Sequence, residues 1–181
     1  MTGTNKKMNP ILKEILSWIL LVAAALFIST LINSQVLSLA TVKEVSMQDT
    51  LYENQTLVIN RLAYRNRQPR TGDIIVFYDI NEDRQLIKRL IAVEGDQVEI
   101  KDGKVFVNGE ELKEDYIKDG YTPQGVNPEY SNLVVPKGYV YVLGDNRKNS
   151  RDSRSIGPIE VERITGKAIF RFYPFNKIRT F

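Results

Sequence analysis

The sequence predicts a mainly β domain preceded by one membrane-spanning helix. Three observations carry that reading: 28 residues near the N-terminus without a charged side chain, short alternating apolar runs after them, and Asp-Gly and Asn-Gly pairs between those runs. At 181 residues the chain is long enough for one domain and an accessory segment.

The helix comes first. The uncharged stretch runs from Ile15 to Val42, and its first part, Ile15 to Ile32, is mostly Ile, Leu, Val, Ala, Trp and Phe. As a helix those residues span about 27 Å, close to a hydrocarbon core of about 30 Å, and Lys13 can snorkel outward. The chain therefore divides into a head (1–14), an anchor (15–35) and a domain (36–181). Lys6, Lys7 and Lys13 against Glu14 place the head in the cytoplasm and the domain outside. A cleavable signal peptide ending at Ser38-Leu39-Ala40 and a buried helix are the other readings. The apolar stretch exceeds the usual h-region of about 7 to 15 residues, which favours an uncleaved anchor.

From residue 43 onward 22 basic residues nearly balance 21 acidic ones, as on an ordinary soluble surface. Strands are expected at 55–60, 73–78, 86–93, 98–101, 104–107, 139–143 and 167–173, each a short β-like run. Asp102-Gly103 predicts a type I′ hairpin, whose two central positions need positive φ. Asn108-Gly109 marks a second turn. Residues 110–136 are polar and contain Gly120, Pro123, Gly125 and Pro128, which predicts an irregular insertion over the sheet.

Composition narrows the chemistry. With no His and no Cys, the chain cannot build His-based triads, cysteine nucleophiles, haem or Fe–S ligation, or nearly any zinc site. No cofactor and no metal are expected, and a net charge of +3 does not argue for a nucleic-acid partner. One attractive nucleophile remains: a serine deprotonated by a neutral lysine. An ordinary lysine, with a pKa of about 10.4, must be lowered by about 3 units to be a useful base near neutrality, and burial does that.

Lys88 fits. Strand alternation puts it on one face with Leu86, Leu90 and Ala92. Read alone, the segment favours an edge-strand lysine kept charged against aggregation, since lysines flanked by apolar residues are common in strands. Ser46, just past the anchor, is by itself an ordinary loop or capping serine. The segment from Gly144 to Arg154, GDNRKNSRDSR, reads alone as a solvated turn with Asp–Arg pairs or as a phosphate loop.

Together these segments resemble bacterial type I signal peptidases. SMQDTL at 46–51, GDIIVF at 72–77, KRLIAVEGD at 88–96 and GDNRKNSRDSR at 144–154 follow the anchor in the family's order, the last matching its GDNR-x-x-S-x-DSR signature. The resemblance implies a signal-peptidase-type β-sheet catalytic domain. It implies Ser46 as nucleophile, Lys88 as general base and Ser150 as the serine that orients the lysine by accepting its hydrogen bond. Arg89, Asp145, Asp152 and Arg154 match residues that brace the site, and Val42, Met47, Leu51 and Ile87 match the wall of the substrate pocket. The single anchor and short domain look like the Gram-positive type. Implied partners are the signal peptides of secreted preproteins and membrane lipid; the alternative is an assembly factor or dedicated peptidase for pilin subunits.

Three positions depart from the family pattern. Asp49 stands where the nucleophile motif usually has Pro, which removes a fixed φ and adds a charge. Glu44 stands where Gly or Ser is usual; relatives with Ser draw a second oxyanion donor from that position, which puts that half of the hole in question here, while the Ser46 N–H remains available. Ala92-Val93-Glu94 in place of Gly-Leu-Pro is minor variation. The two carboxylates are expected to border the substrate cleft.

Overall fold

A computed structural model describes residues 9–181. Lys6 and Lys7, on which the orientation argument leans, lie outside the described residues. Two compact units divide at Val36 and Leu37.

The first unit contains helix α1, Pro10–Val36. Pro10 opens it where no backbone donor is needed, and the Asn9 side-chain oxygen caps the Ile11 N–H at 3.1 Å. Its 27 residues span about 40 Å. The part from Pro10 to Thr30 has a mean hydropathy of 2.2 and is long and apolar enough to cross a membrane. Two of its hydroxyls bond within the helix: Ser17 Oγ donates to the Glu14 carbonyl at 2.7 Å and Thr30 Oγ1 to the Leu26 carbonyl at 2.8 Å. That leaves their polarity satisfied without water.

The second unit is built on β-strands: β1 (Leu37–Thr41), β2 (Thr56–Asn60), β3 (Ile74–Asp79), β4 (Arg84–Val93), β5 (Gln97–Lys101), β6 (Lys104–Val107), β7 (Glu110–Glu111), β8 (Asn132–Val134), β9 (Tyr139–Leu143), β10 (Ile159–Glu160), β11 (Ile164–Tyr173) and β12 (Arg179–Thr180). One short helix, α2 (Ser153–Ile156), lies between β9 and β10. Eight strands form one antiparallel sheet in the order β1-β2-β11-β3-β4-β9-β10, with β12 on β11. A second sheet has the order β7-β6-β5-β8. The mainly β architecture is therefore the one expected.

Alternation makes the core. Along β4, Leu86, Lys88 and Leu90 are buried while Ile87 and Arg89 are only half-buried. A register shift between Leu90 and Ala92 lets Ile91 and Ala92 both turn inward. One apolar cluster gathers Val42, Met47, Leu51, Leu57, Ile59, Ile74, Val76 and Ala168; a second lies around Ile75, Phe77, Leu90 and Val142. Lys88 sits in this fabric because β3 pairs with it directly, Ile75 opposite Lys88.

The Asp102-Gly103 turn has φ of 52° and 77°, as a type I′ turn requires. A Cβ at Gly103 would also run into the Tyr121 ring. Residues 110–136 are less irregular than their composition predicts, since their two ends form β7 and β8. Such short strands gain their pairing from neighbours already in place, here β6 and β5, and carry little alternation of their own. Ser38–Ala40, the stretch that resembled a cleavage site, is paired with β2 as part of β1.

Candidate active site

Three segments converge at the free edge of β4. β9 pairs with β4 only from Arg89 onward, so Arg84 to Lys88 keep one edge clear of it. Facing that edge is the chain between β1 and β2, which carries a single 3₁₀ turn, Val45–Met47, with Ser46 in its middle. The loop after β9 backs this turn: the Asn146 N–H donates to the Ser46 carbonyl at 3.0 Å.

Ser46 and Lys88, 42 residues apart, meet there. Lys88 Nζ donates to Ser46 Oγ at 2.8 Å and to the Ile87 carbonyl at 3.1 Å. Lys88 is fully buried and Ser46 nearly so, with 6% of its surface exposed. Burial lowers the Lys88 pKa from its ordinary 10.5 to about 8; Asp152 opposes this, Arg84 assists it, and Glu82 and Asp79 oppose it more weakly. At pH 7 roughly a tenth of such lysines are neutral, against well under a thousandth for an unburied one.

The four charged residues matched to the family's bracing positions form two pairs. Arg89 grips Asp145 with two bonds, Nε to Oδ1 at 2.9 Å and Nη2 to Oδ2 at 2.7 Å, and stacks on Tyr116 with 3.9 Å from Cζ to the ring centre. Asp152 is fully buried and accepts from Arg154 Nε and Nη2, both at 2.8 Å, and from the Gly144 N–H at 3.0 Å. Its carboxylate also caps α2. It thus ties the two ends of the 144–154 loop together.

Ser150 differs from the expectation. Lys88 makes no hydrogen bond with it; two of the three ammonium donors go to Ser46 and Ile87. Ser150 Oγ is instead buried against Gly144 and has no hydrogen-bond partner among the described residues. Gly144 is required at this point: a Cβ there would come within 2.1 Å of Ser150 Oγ and 2.5 Å of the Ser46 carbonyl oxygen.

A cleft of about 430 Å³ opens on Ser46. Val42, Met47 and Ile87, three of the four expected wall residues, line it together with Leu39, Ala40 and Leu86. Leu51 does not reach it; fully buried, it belongs to the core cluster that supports Val42 and Met47. The two family departures separate in space. Glu44 lines the cleft, pairs with Arg84 and stands 4.0 Å from Lys88 Nζ. Asp49 faces elsewhere, accepting from Lys118 Nζ at 2.7 Å and from the Tyr52 hydroxyl at 3.0 Å. The Lys118 bond holds its carboxyl below the usual range. The expectation that both charges border the cleft therefore holds for Glu44 alone.

Two features were not read from the sequence. Asn146 lies inside the GDNR motif, which was its signal, and binds the serine turn twice, as its side chain also donates to the Val45 carbonyl at 3.2 Å. Arg147 is buried and bonds Glu114, Thr122 and, at 3.0 Å, the Gly144 carbonyl. Glu114 is 33 positions away in a polar segment, and nothing local marks it. Among the described residues no cluster of three or more His, Cys, Asp or Glu is placed to hold a metal ion.

The chain is 35% identical over 180 residues to signal peptidase IB of Staphylococcus aureus (strain COL), covering 92% of this chain and 94% of that one. Over 165 residues it is 34% identical to thylakoidal processing peptidase 1, chloroplastic, of Arabidopsis thaliana, covering 85% of this chain and 47% of that one. The crystal structure of a signal peptidase I from Enterococcus faecalis V583 overlaps with a TM-score of 0.49 at 32% identity, over 56% of this chain and 97% of the other. The family described as signal peptidase, peptidase S26, matches residues 15–173, from the apolar helix to the end of β11. A match of that extent places the chain in the peptidase S26 family of signal peptidases.

Proposed function

We propose that this protein is a membrane-anchored serine endopeptidase that removes N-terminal signal peptides from exported preproteins with a Ser46–Lys88 dyad. The observation that carries the reading is the 2.8 Å hydrogen bond between a fully buried lysine and a serine at the wall of an apolar cleft. That the S. aureus and A. thaliana relatives are named as peptidases favours this over an assembly role.

In this mechanism neutral Lys88 takes the Ser46 Oγ proton as that oxygen attacks the scissile carbonyl. The Ser46 N–H stabilises the resulting oxyanion. Lys88 then gives its proton to the departing amine, and the signal peptide remains as an ester on Ser46. A water deprotonated by Lys88 hydrolyses that ester. Ser150 Oγ, buried beside Gly144 and without a hydrogen-bond partner among the described residues, takes the orienting role carried over from the family by accepting from Lys88 when Ser46 turns to the substrate. Arg89–Asp145 and Asp152–Arg154 keep the segments in register. Helix α1 sits in lipid with the head in the cytoplasm and the strand domain outside, and Val42, Met47 and Ile87 receive small apolar side chains of the signal peptide.

The test is incubation of the full chain, in detergent or vesicles, with a preprotein whose signal ends Ala-x-Ala, followed by N-terminal sequencing. Wild type cleaves after the final Ala, whereas Ser46→Ala and Lys88→Ala each lose several orders of magnitude of turnover. The double variant is little worse than either, because the two residues act as a unit. Retention of more than about a tenth of the activity by either single variant overturns the dyad.

A further inference from the structure

Glu44 makes the aim of one backbone donor unusually consequential. Its carboxylate only accepts hydrogen bonds when ionised, so it adds no second donor beside Ser46. The Ser46 N–H then carries the oxyanion without help from that position, and its direction is set by the peptide plane between Val45 and Ser46. A trans peptide is planar, with N–H and C=O on opposite sides. Whatever holds the Val45 carbonyl therefore aims the Ser46 N–H.

Two donors hold that carbonyl. The Gln48 N–H closes the 3₁₀ turn on it at 3.0 Å, and Asn146 Nδ2 reaches it from outside the turn at 3.2 Å. The Asn146 backbone N–H simultaneously holds the Ser46 carbonyl at 3.0 Å. One residue thus grips the peptide units on both sides of the Ser46 Cα. Asn146 is itself fixed: the Asn149 N–H donates to its carbonyl at 3.0 Å, Asp145 before it is bound by Arg89, and Arg147 after it is buried on Glu114 and Thr122. Gly144 allows this loop to approach the Ser46 carbonyl so closely.

We propose that Asn146 is a positioning residue for the oxyanion donor: its side-chain amide holds the Val45–Ser46 peptide plane so that the Ser46 N–H meets the negative charge of the tetrahedral intermediate. The proposal rests on Ser46 being the nucleophile. Asn146 acts through the backbone of Ser46 and needs no contact with the substrate. Its effect falls on the transition state, since the ground-state carbonyl carries little of the charge that this N–H stabilises.

The experiment compares wild type, Asn146→Ala, Asn146→Asp and Lys148→Ala in the full chain. Lys148 is an exposed control in the same loop, bonded to Asp119 at the surface. Asn146→Ala should lower kcat about 30-fold with KM within about 3-fold, less than deletion of an oxyanion donor because the N–H remains. Asn146→Asp should lose more, since a carboxylate would face the Val45 carbonyl. Affinity for a peptide aldehyde ending Ala-x-Ala, whose adduct with Ser46 bears the same oxyanion, should fall in parallel with kcat. The pH of half-maximal activity should stay in place, as Lys88 is untouched, and Lys148→Ala should behave as wild type. Unchanged kcat in Asn146→Ala overturns the proposal. So does a loss matched by a smaller folded fraction in circular dichroism, or one that leaves aldehyde affinity intact. Full activity of Ser46→Ala in the same assay overturns instead the reading on which the proposal stands.

Discussion

Replacing Lys88 by methionine should destroy the enzyme and stabilise the protein. Methionine has nearly the same length and suits the apolar surroundings of β4. Burial lowers the lysine from 10.5 to about 8, so the folded state disfavours the ammonium relative to the unfolded chain. At 1.36 kcal/mol per pH unit this destabilises the fold by about 3 kcal/mol wherever both states are protonated. Removing the lysine also removes its bond to Ser46, worth about 1 kcal/mol, so a net gain of about 2 kcal/mol is expected at pH 7. The sign with pH follows from proton counting. Between about 8 and 10.5 the unfolded chain binds the extra proton, so wild type becomes more stable as pH rises through that window. The advantage of Lys88→Met should therefore be constant below pH 7.5 and shrink steadily up to pH 10.5. Urea unfolding of both full chains in the same detergent, followed by circular dichroism at half-unit pH steps, measures the difference. A variant less stable than wild type at pH 7, or a difference that does not change between pH 8 and 10, would refute the reasoning.

The same lysine sets the rate: kcat/KM should rise about tenfold per pH unit below pH 8 and level off above it, which a pH series on a peptide substrate checks. Asp152→Asn should unfold more easily by about 3 kcal/mol in urea, because Arg154 is left buried without its counter-charge. Ser150→Ala should cost less turnover than Lys88→Ala, as it removes the proposed orienting group and leaves the base. Glu44→Gly, at the cleft, should change preference among Ala-x-Ala preproteins several-fold, while Asp49→Pro, held off by Lys118, should leave that preference unaltered; parallel cleavage of a preprotein panel distinguishes them.

The elements most legible in the sequence were those whose side chains alternate between two environments. β4 announced itself through Leu86, Lys88 and Leu90, and the same alternation that predicted the strand buried the lysine. Hairpin turns were legible because Asp102-Gly103 encodes a backbone angle that few other pairs adopt. β8, β10 and β12 were not, since two or three residues hold no period and their pairing comes from the sheet they join. At the site, the motif blocks implied which residues meet, but chemistry at a distance stayed hidden. Glu114 looks like any surface acid until Arg147 is found on it, and Leu51 looks like a pocket residue until the turn of Val45–Met47 directs it inward. The opposed facing of Glu44 and Asp49 follows from the same turn between them.

Surface loops ordinarily accept extra residues at little thermodynamic penalty. The segment between β7 and β8 is riveted to β4 and to the 144–154 loop at Glu114 by Arg147, at Tyr116 by Arg89, at Thr122 by Arg147 and at Pro123 by Arg154, whose Nη1 donates to its carbonyl at 3.0 Å. Its length is thereby matched to the spacing of three arginines. A linker or tag placed between Glu114 and Thr122 would shift those rivets relative to one another and transmit the misfit to Asp145, Asn146 and Asp152. The exposed stretch 65–68, between β2 and β3, carries no such tie among the described residues, and an engineered insertion there should leave the enzyme working.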